Sequence, residues 1–300
     1  MAEITQRDGT WTFDGEAVRI VPGRDKGVSP ARQAIGELLV PLQALAGVTF
    51  EAGRKSGRLR LRLRDGADPL LQAVGGRLPS AADPYQLAVE ADRMGVAEYF
   101  VDEVRHALLL ESVPSTPCHR YLLPGPSVPL SASAGDATAS FDGENIRLEW
   151  NWKTEDSKKS AGTQVFALAD VDAVEWLWPA GLENGYLRFV VAKAPTNSPP
   201  KYDPRSVELY GFKKDPLMAL VGAAVVARMP HPAAPPEPAA TAAAAPAPAL
   251  APAAAAPAAP AEVDHDALLQ RLRELGELRN DGILTEEEFT AAKKALLRHF

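Results

Sequence analysis

The sequence holds a single cysteine, Cys118. One thiol cannot form an intrachain disulfide, and it excludes a zinc site built on several cysteines. A reducing, cytoplasmic setting is the expectation. No basic region followed by an apolar core occurs in the first residues, so no secretory signal is expected. Long apolar runs are also missing. The longest, 216–229, is well short of the roughly 20 residues that cross a bilayer, so any membrane contact is expected to be peripheral. Positive charge is not in excess: the net charge is −7. General attraction to nucleic acid or to anionic lipid is therefore not expected of the chain as a whole, although local basic patches can still form.

Catalytic signatures are absent too. No glycine-rich phosphate loop, nucleophile elbow or paired-carboxylate spacing is found, and the five histidines, His106, His119, His231, His265 and His299, are scattered. Cys118-His119 places a nucleophile beside a base, but neighbours on extended backbone point opposite ways. The reading is a protein that is not an enzyme, with no catalytic residue, cofactor or metal assigned.

What the chain does have is a repetition. Phe13-Asp14-Gly15-Glu16 runs into Ala17-Val18-Arg19-Ile20, and Phe141-Asp142-Gly143-Glu144 runs into Asn145-Ile146-Arg147-Leu148. Period-two alternation around Asp-Gly is a hairpin signal. Further matches follow in order. Leu42, Leu45 and Val48 match Leu168, Val171 and Val174. Gly57, Leu59, Arg60, Leu61 and Leu63 match Gly185, Leu187, Arg188, Phe189 and Val191. Asp83-Pro84 matches Asp203-Pro204. The strand 85–89 matches 205–209. A helix with Val96, Phe100, Val104 and Leu108 at four-residue steps matches the run 216–229. Conserved order with inward positions kept points to duplication.

In the first copy, Arg58-Leu59-Arg60-Leu61-Arg62-Leu63-Arg64 sends leucines to one face of a strand and arginines to the other. A solvated cationic face and an anion-binding face are both consistent with that pattern. In the second copy Val190 and Ala192 stand where Arg62 and Arg64 stood, and four tryptophans appear: Trp150, Trp152, Trp176 and Trp178. An aromatic cluster of this kind reads as core, or as the contact between copies, before it reads as a ligand platform.

Strands closed by one helix, in tandem, resemble pleckstrin-homology-like (PH-like) domains. The pair is similar to the bacterial tandem PH-like family of unknown function, whose copies open with this Phe-Asp-Gly signature. The resemblance implies an α+β fold, each copy a curved antiparallel sheet capped by a C-terminal helix, and leaves the ligand open. Lipid-binding PH domains use basic residues in the first loops and neighbouring strands. Arg24, Lys26, Arg58, Arg60 and Arg62, with Lys158 and Lys159 in the second copy, occupy similar places.

Beyond the copies, the stretch 230–261 is nearly all alanine and proline, which reads as a disordered, semi-extended linker. The tail 262–300 then carries Leu268, Leu269, Leu272, Leu275 and Leu278, a stop at Asn280-Asp281-Gly282, and a capping box at Thr285-Glu286-Glu287-Glu288. Ile283, Phe289, Leu296 and Leu297 continue the apolar stripe, giving a small helical hairpin. The Asp281-Gly282 stretch looks like the end of a calcium loop, but Arg279 would fill a ligand position and cannot coordinate a cation. Leu275-Gly276-Glu277-Leu278 through Gly282-Ile283-Leu284-Thr285-Glu286-Glu287-Glu288-Phe289 resembles the SHOCT domain, a short C-terminal module whose family implies oligomerisation or partner contact. A hairpin this small buries too little apolar surface to stand alone. Leu268, Leu272, Leu275, Leu278, Ile283, Phe289 and Leu296 are therefore the candidate association residues, toward a second chain or back onto a PH-like copy.

The expected organisation is a first domain at 3–111, a proline-rich bridge at 112–137, a second domain at 138–229, the linker at 230–261 and the hairpin at 262–300. The expected function is a non-enzymatic interaction protein, with PH-like copies binding a protein or peptide and a self-associating tail. The alternative is a module peripheral at the membrane, reading anionic lipid headgroups through the basic loops.

Overall fold

The computed structural model describes residues 1–192 and 198–234. Most of the alanine-proline stretch and all of the tail, with its seven candidate association residues, lie outside the described residues. The described body is α+β, with four antiparallel sheets and few helices. None of its helices is long and apolar enough to cross a membrane.

The first copy opens with β1 (Ala2–Gln6), β2 (Gly9–Phe13) and β3 (Ala17–Pro22). A six-residue helix, α1 (Pro30–Ile35), follows, then β4 (Leu38–Pro41), and these four strands form one sheet in sequence order. Strands β5 (Leu45–Glu51), β6 (Ser56–Leu63) and β7 (Gln86–Glu90) form a second sheet. The short α2 (Pro69–Val74) lies between β6 and β7, and α3 (Met94–Leu110) closes the copy. Helix α3 buries Ala97, Phe100, Val101 and Val104. Phe100 packs beside Trp11 and Phe13 in the first core.

The second copy repeats this. Strands β8 (Leu130–Ala134), β9 (Ala137–Phe141), β10 (Asn145–Trp150) and β11 (Gln164–Ala167) form its first sheet, with α4 (Asp156–Ser160) inserted before β11. Strands β12 (Val171–Leu177), β13 (Gly185–Val191) and β14 (Ser206–Leu209) form its second, and α5 (Leu217–Val226) follows. The repetition reaches the irregularities. The β5–β6 ladder shifts register between Leu45 and Gly47, and the β12–β13 ladder between Val171 and Ala173. The carboxylate of Asp14 accepts from the amides of Glu16 and Ala17, and that of Asp142 from Glu144 and Asn145. These amide bonds hold both carboxyls below the ordinary range.

Several details depart from the sequence reading. The stretch 112–137 contains β8, whose small alternating Ser131-Ala132-Ser133-Ala134 carries little strand signal. The earlier part of the stretch is laid on the first copy, the amide of Cys118 donating to Asp65 O and those of Leu122 and Leu123 to Ala67 O, while Tyr121 and Val128 pack against the second core. Strands β4 and β5 are separated by a single 3-10 turn, Leu42–Ala44. Helices α1, α2 and α4 were not expected. For α1 and α2 the signals were present: Ser29-Pro30 and Asp68-Pro69 each supply a cap followed by proline at the first helical position, and Gly75 closes α2 in a left-handed conformation.

Helix α5 decides how the copies sit together. Its sequence, LMALVGAAVV, has no polar face, and Met218 to Val226 are all buried. A helix apolar all round must be covered on every side. The second copy's sheets cover part of it, and the first copy covers more, chiefly α2 through Leu70, Ala73 and Val74, with α1 and the bridge beside it. At the crossing sits Gly222, where an added Cβ would meet Leu187 at 3.1 Å and Val174 at 3.2 Å, with Ala73 3.9 Å away. The larger side chains of α5 each contribute about 1.5–3 kcal/mol of burial. An Ala73→Asp substitution places an unpaired carboxylate against α5. It is expected to cost about 3 kcal/mol or more, read as a drop in the midpoint of thermal unfolding of the whole body; an unchanged midpoint would show that the copies do not depend on this contact.

Candidate functional site

Strand β6 presents its leucines inward and its arginines outward, as the alternation requires: Gly57, Leu59, Leu61 and Leu63 are buried, while Arg58, Arg60 and Arg62 are exposed. The pairing places Glu51 opposite Arg58, Thr49 opposite Arg60 and Gly47 opposite Arg62 on β5, with Ala88 opposite Arg58 on β7. Gln86 on β7 stands opposite Arg60, so the row is flanked by Gly47, Thr49 and Ala88 and also by Glu51 and Gln86. Arg64 is engaged, donating to Thr116 O and Gln43 O, both at 2.8 Å. Arg58, Arg60 and Arg62 have no ion-pair partner among the described residues. In the second copy the counterpart of Arg60, Arg188, is mostly buried and consumed, 3.0 Å from Asp203 and 3.6 Å from Glu175.

Of the remaining basic candidates, Lys158 is corrected. It is 0% exposed, and its Nζ donates to Asp136 Oδ2 and to Ser206 O, both at 2.8 Å. Burial pushes the Asp136 carboxyl upward, against the pull of Lys158 and of the Glu208 amide. The sequence could not separate Lys158 from Lys159, because only the orientation of the unexpected helix α4 decides which points inward. Lys159 is partly exposed and sits 3.4 Å from Asp156.

The first copy contains the same device. Arg32 on α1 is buried, and its Nη2 donates to Ser80 O at 3.2 Å, Asp83 O at 2.5 Å and Gln86 O at 2.7 Å, with Asp8 at 3.9 Å. Asp8 and Asp136 sit at equivalent points before β2 and β9, and Gln86 and Ser206 both begin the last strand. A cation on the inserted helix therefore ties the first hairpin to the last strand in both copies. Removing one partner of a buried pair strands the other charge. Lys158→Ala is expected to cost about 3–5 kcal/mol and Lys159→Ala less than about 0.5 kcal/mol, measured by thermal or denaturant unfolding; equal effects would contradict this placement.

Arg24 and Lys26 are exposed in the loop between β3 and α1. The loop meets the second copy through the backbone of Lys26, whose carbonyl accepts from Lys213 Nζ at 2.6 Å. The four tryptophans do not form one cluster. Trp176 is buried and stacks on half-buried Trp178 at 6.3 Å, and Trp150 is half-buried with its indole N–H on Gly162 O at 2.7 Å. Trp152 lies beyond the end of β10 and is 83% exposed.

A cleft of about 390 Å³ lies between α1, the bridge and α5, with Asp68 and Tyr85 at its floor. Burial pushes both groups upward from their ordinary values. Asp68 accepts from the Tyr85 hydroxyl at 2.8 Å and from the amides of Leu70 and Leu71, so its bonding capacity is spent on capping α2. Cys118 is buried in the first core while His119 is exposed and bonded to Ala233 O, so the adjacent pair faces two ways. Among the described residues no group of three His, Cys, Asp or Glu side chains could hold a metal ion.

A family model described as Domain of unknown function (DUF4429) matches residues 11–105 and again 139–226, more than half of the chain. The chain belongs to the DUF4429 family. The two matched segments fall within the two copies seen in the fold, and each leaves out the first strand of its copy, β1 or β8. A second model, the Short C-terminal domain (SHOCT), matches residues 270–297. No curated protein matches the chain. The DUF4429 match carries no assigned chemistry, and the arginine row belongs to the first copy alone.

Proposed function

We propose that this is a non-enzymatic interaction protein whose two DUF4429 copies are PH-like domains fused into one rigid platform. Two sheets and a closing helix in each copy, in the same order, support the PH-like reading. The observation that carries the binding role is the exposed row Arg58, Arg60 and Arg62, which lacks carboxylate partners among the described residues while Arg188 in the sister copy is fully engaged. Alternate residues along a strand repeat at about 6.8 Å. An extended partner segment with acidic side chains on alternate residues has the same repeat, and guanidinium groups pair with carboxylates in two-point fashion. The partner is accordingly a protein or peptide with an acidic extended stretch. The SHOCT domain would join chains through Leu268, Leu272, Leu275, Leu278, Ile283, Phe289 and Leu296.

Two measurements test this. Fluorescence anisotropy with a labelled peptide carrying aspartate at alternate positions should show binding that weakens with salt. The triple variant Arg58→Glu, Arg60→Glu, Arg62→Glu should weaken it by about tenfold or more, in line with loss of several charge-assisted contacts. Unaltered binding by that variant would remove the arginine row from the site. Light scattering after size exclusion should give a multiple of the chain mass for the full protein and a monomer for residues 1–234. Two monomers would refute association through the tail.

A further inference from the structure

One surface is used by neither the core nor the arginine row. Trp152 is 83% exposed and Phe212 is 56% exposed, and they flank one shallow depression. Lys153 Nζ sits 5.6 Å from the Trp152 ring and 4.8 Å from the Phe212 ring. Lys213 and Lys214 line the same depression. Through Lys213, the loop carrying Arg24 and Lys26 of the first copy is drawn alongside.

The aromatics are held outward by rigid loops. Asp215 turns inward, and its carboxylate accepts from the amides of Tyr210 and Gly211 at 2.8 Å, of Phe212 at 3.0 Å and of Gly135 at 3.3 Å. On the other side, Asn151 donates to Gly135 O at 3.1 Å and accepts from the Lys153 amide at 2.9 Å, and Thr154 donates to Asp136 O. Both loops hang from the Gly135-Asp136 turn. Gly135 has φ +60°, and a Cβ there would lie 1.9 Å from Glu208 O, so only glycine fits.

The nearby acids do not cancel the lysines. Asp25 is 3.4 Å from Arg7, Glu155 is 2.8 Å from Lys201, Asp156 is held by Lys159, and Asp215 is buried. We propose that this composite face docks the protein on an anionic phospholipid bilayer, with Trp152 and Phe212 entering the interfacial layer and Lys153, Lys213 and Lys214 over the lipid phosphates. Tryptophan favours that layer because one end of its ring system is apolar and the other carries an N–H. Each lysine close to such a surface adds roughly fivefold to partitioning, an effect that fades within a Debye length. A chain of net charge −7 would gain nothing from its average field, so the attraction has to be local, as it is here. This face shares no residue with the arginine row, so either reading can fail alone.

The test is sedimentation of the full chain with phosphatidylcholine vesicles, with and without roughly 30% phosphatidylserine, while tryptophan emission is followed. The expected result is binding to the anionic vesicles alone, weakened by salt, with a blue shift that Trp152→Phe removes. Lys213→Glu with Lys214→Glu should weaken binding by at least about twentyfold, since two favourable charges become unfavourable. Trp152→Ala with Phe212→Ala should weaken it by about tenfold while the salt dependence remains. Arg93→Glu with Arg105→Glu, the same charge change on and before α3, should change it little. These side chains are exposed, and an unaltered unfolding midpoint confirms that each variant is folded. The proposal is overturned if the wild type ignores anionic vesicles or if the α3 variant loses as much as the lysine variant. It is also overturned if heparin binds equally well and vesicles cause no emission shift, which would make the ligand a soluble polyanion.

Discussion

A helix with no polar face cannot be the outer layer of anything. Helix α5 closes the second copy, yet a cap that lies on a sheet has one side left over. The first copy supplies the missing cover with α2 and the bridge. Gly125 comes so close to the end of α5 that an added Cβ would lie 2.2 Å from the Ala227 Cβ. Helix α3, in the same position of the first copy, is amphipathic and leaves Tyr99, Leu109 and Leu110 exposed. The difference between two helices of common origin therefore turns two copies into one body. It also gives the short insertion between β6 and β7 a purpose.

Duplication kept what holds each copy closed and released what faces outward. The Asp14 and Asp142 turns, the bulges beside Gly47 and Ala173, and the buried cation tying the first hairpin to the last strand are present twice. The cation itself changed from Arg32 to Lys158, which fits geometry: a guanidinium reaches three carbonyls, whereas an ammonium takes one carbonyl and one carboxylate. The outer faces share much less. One copy has a row of arginines with no ion-pair partner among the described residues, and the other draws the matching Arg188 onto Asp203 and puts a tryptophan and three lysines at a loop cluster.

Much of this frame was legible. Phe13-Asp14-Gly15 and Phe141-Asp142-Gly143 announce the copies, the Arg-Leu alternation places β6 and its two faces, and the four-residue steps from Val96 give α3. Illegible features had short-range or three-dimensional causes. Five- and six-residue helices give too few turns for periodicity to register, so α1 and α2 were visible only through caps such as Asp68-Pro69, and α4, which has no side-chain cap, gave no such signal. Without α4 there was no way to turn Lys158 inward. The apolar run 216–229 was legible as a helix, but that its second side is covered by the other copy depends on a fold-back no local pattern encodes. The exposed pair Trp152 and Phe212 comes from loops 60 residues apart in sequence, and only the shared turn at Gly135 brings them together.

That turn links stability to surface chemistry. Asp136 is held from one side by Lys158 and the Glu208 amide, and its carbonyl and that of Gly135 hold the Trp152 loop, while the Gly135 amide meets Asp215 beneath Phe212. A buried ion pair contributes little net stability compared with an apolar pair of the same size. What it does here is fix the direction of a hairpin turn, and through that turn the position of two exposed aromatic side chains. Replacing Asp136 and Lys158 together by apolar residues would preserve much of the folding energy and still loosen both loops. The buried charges therefore determine where the surface points more than how firmly the fold is held.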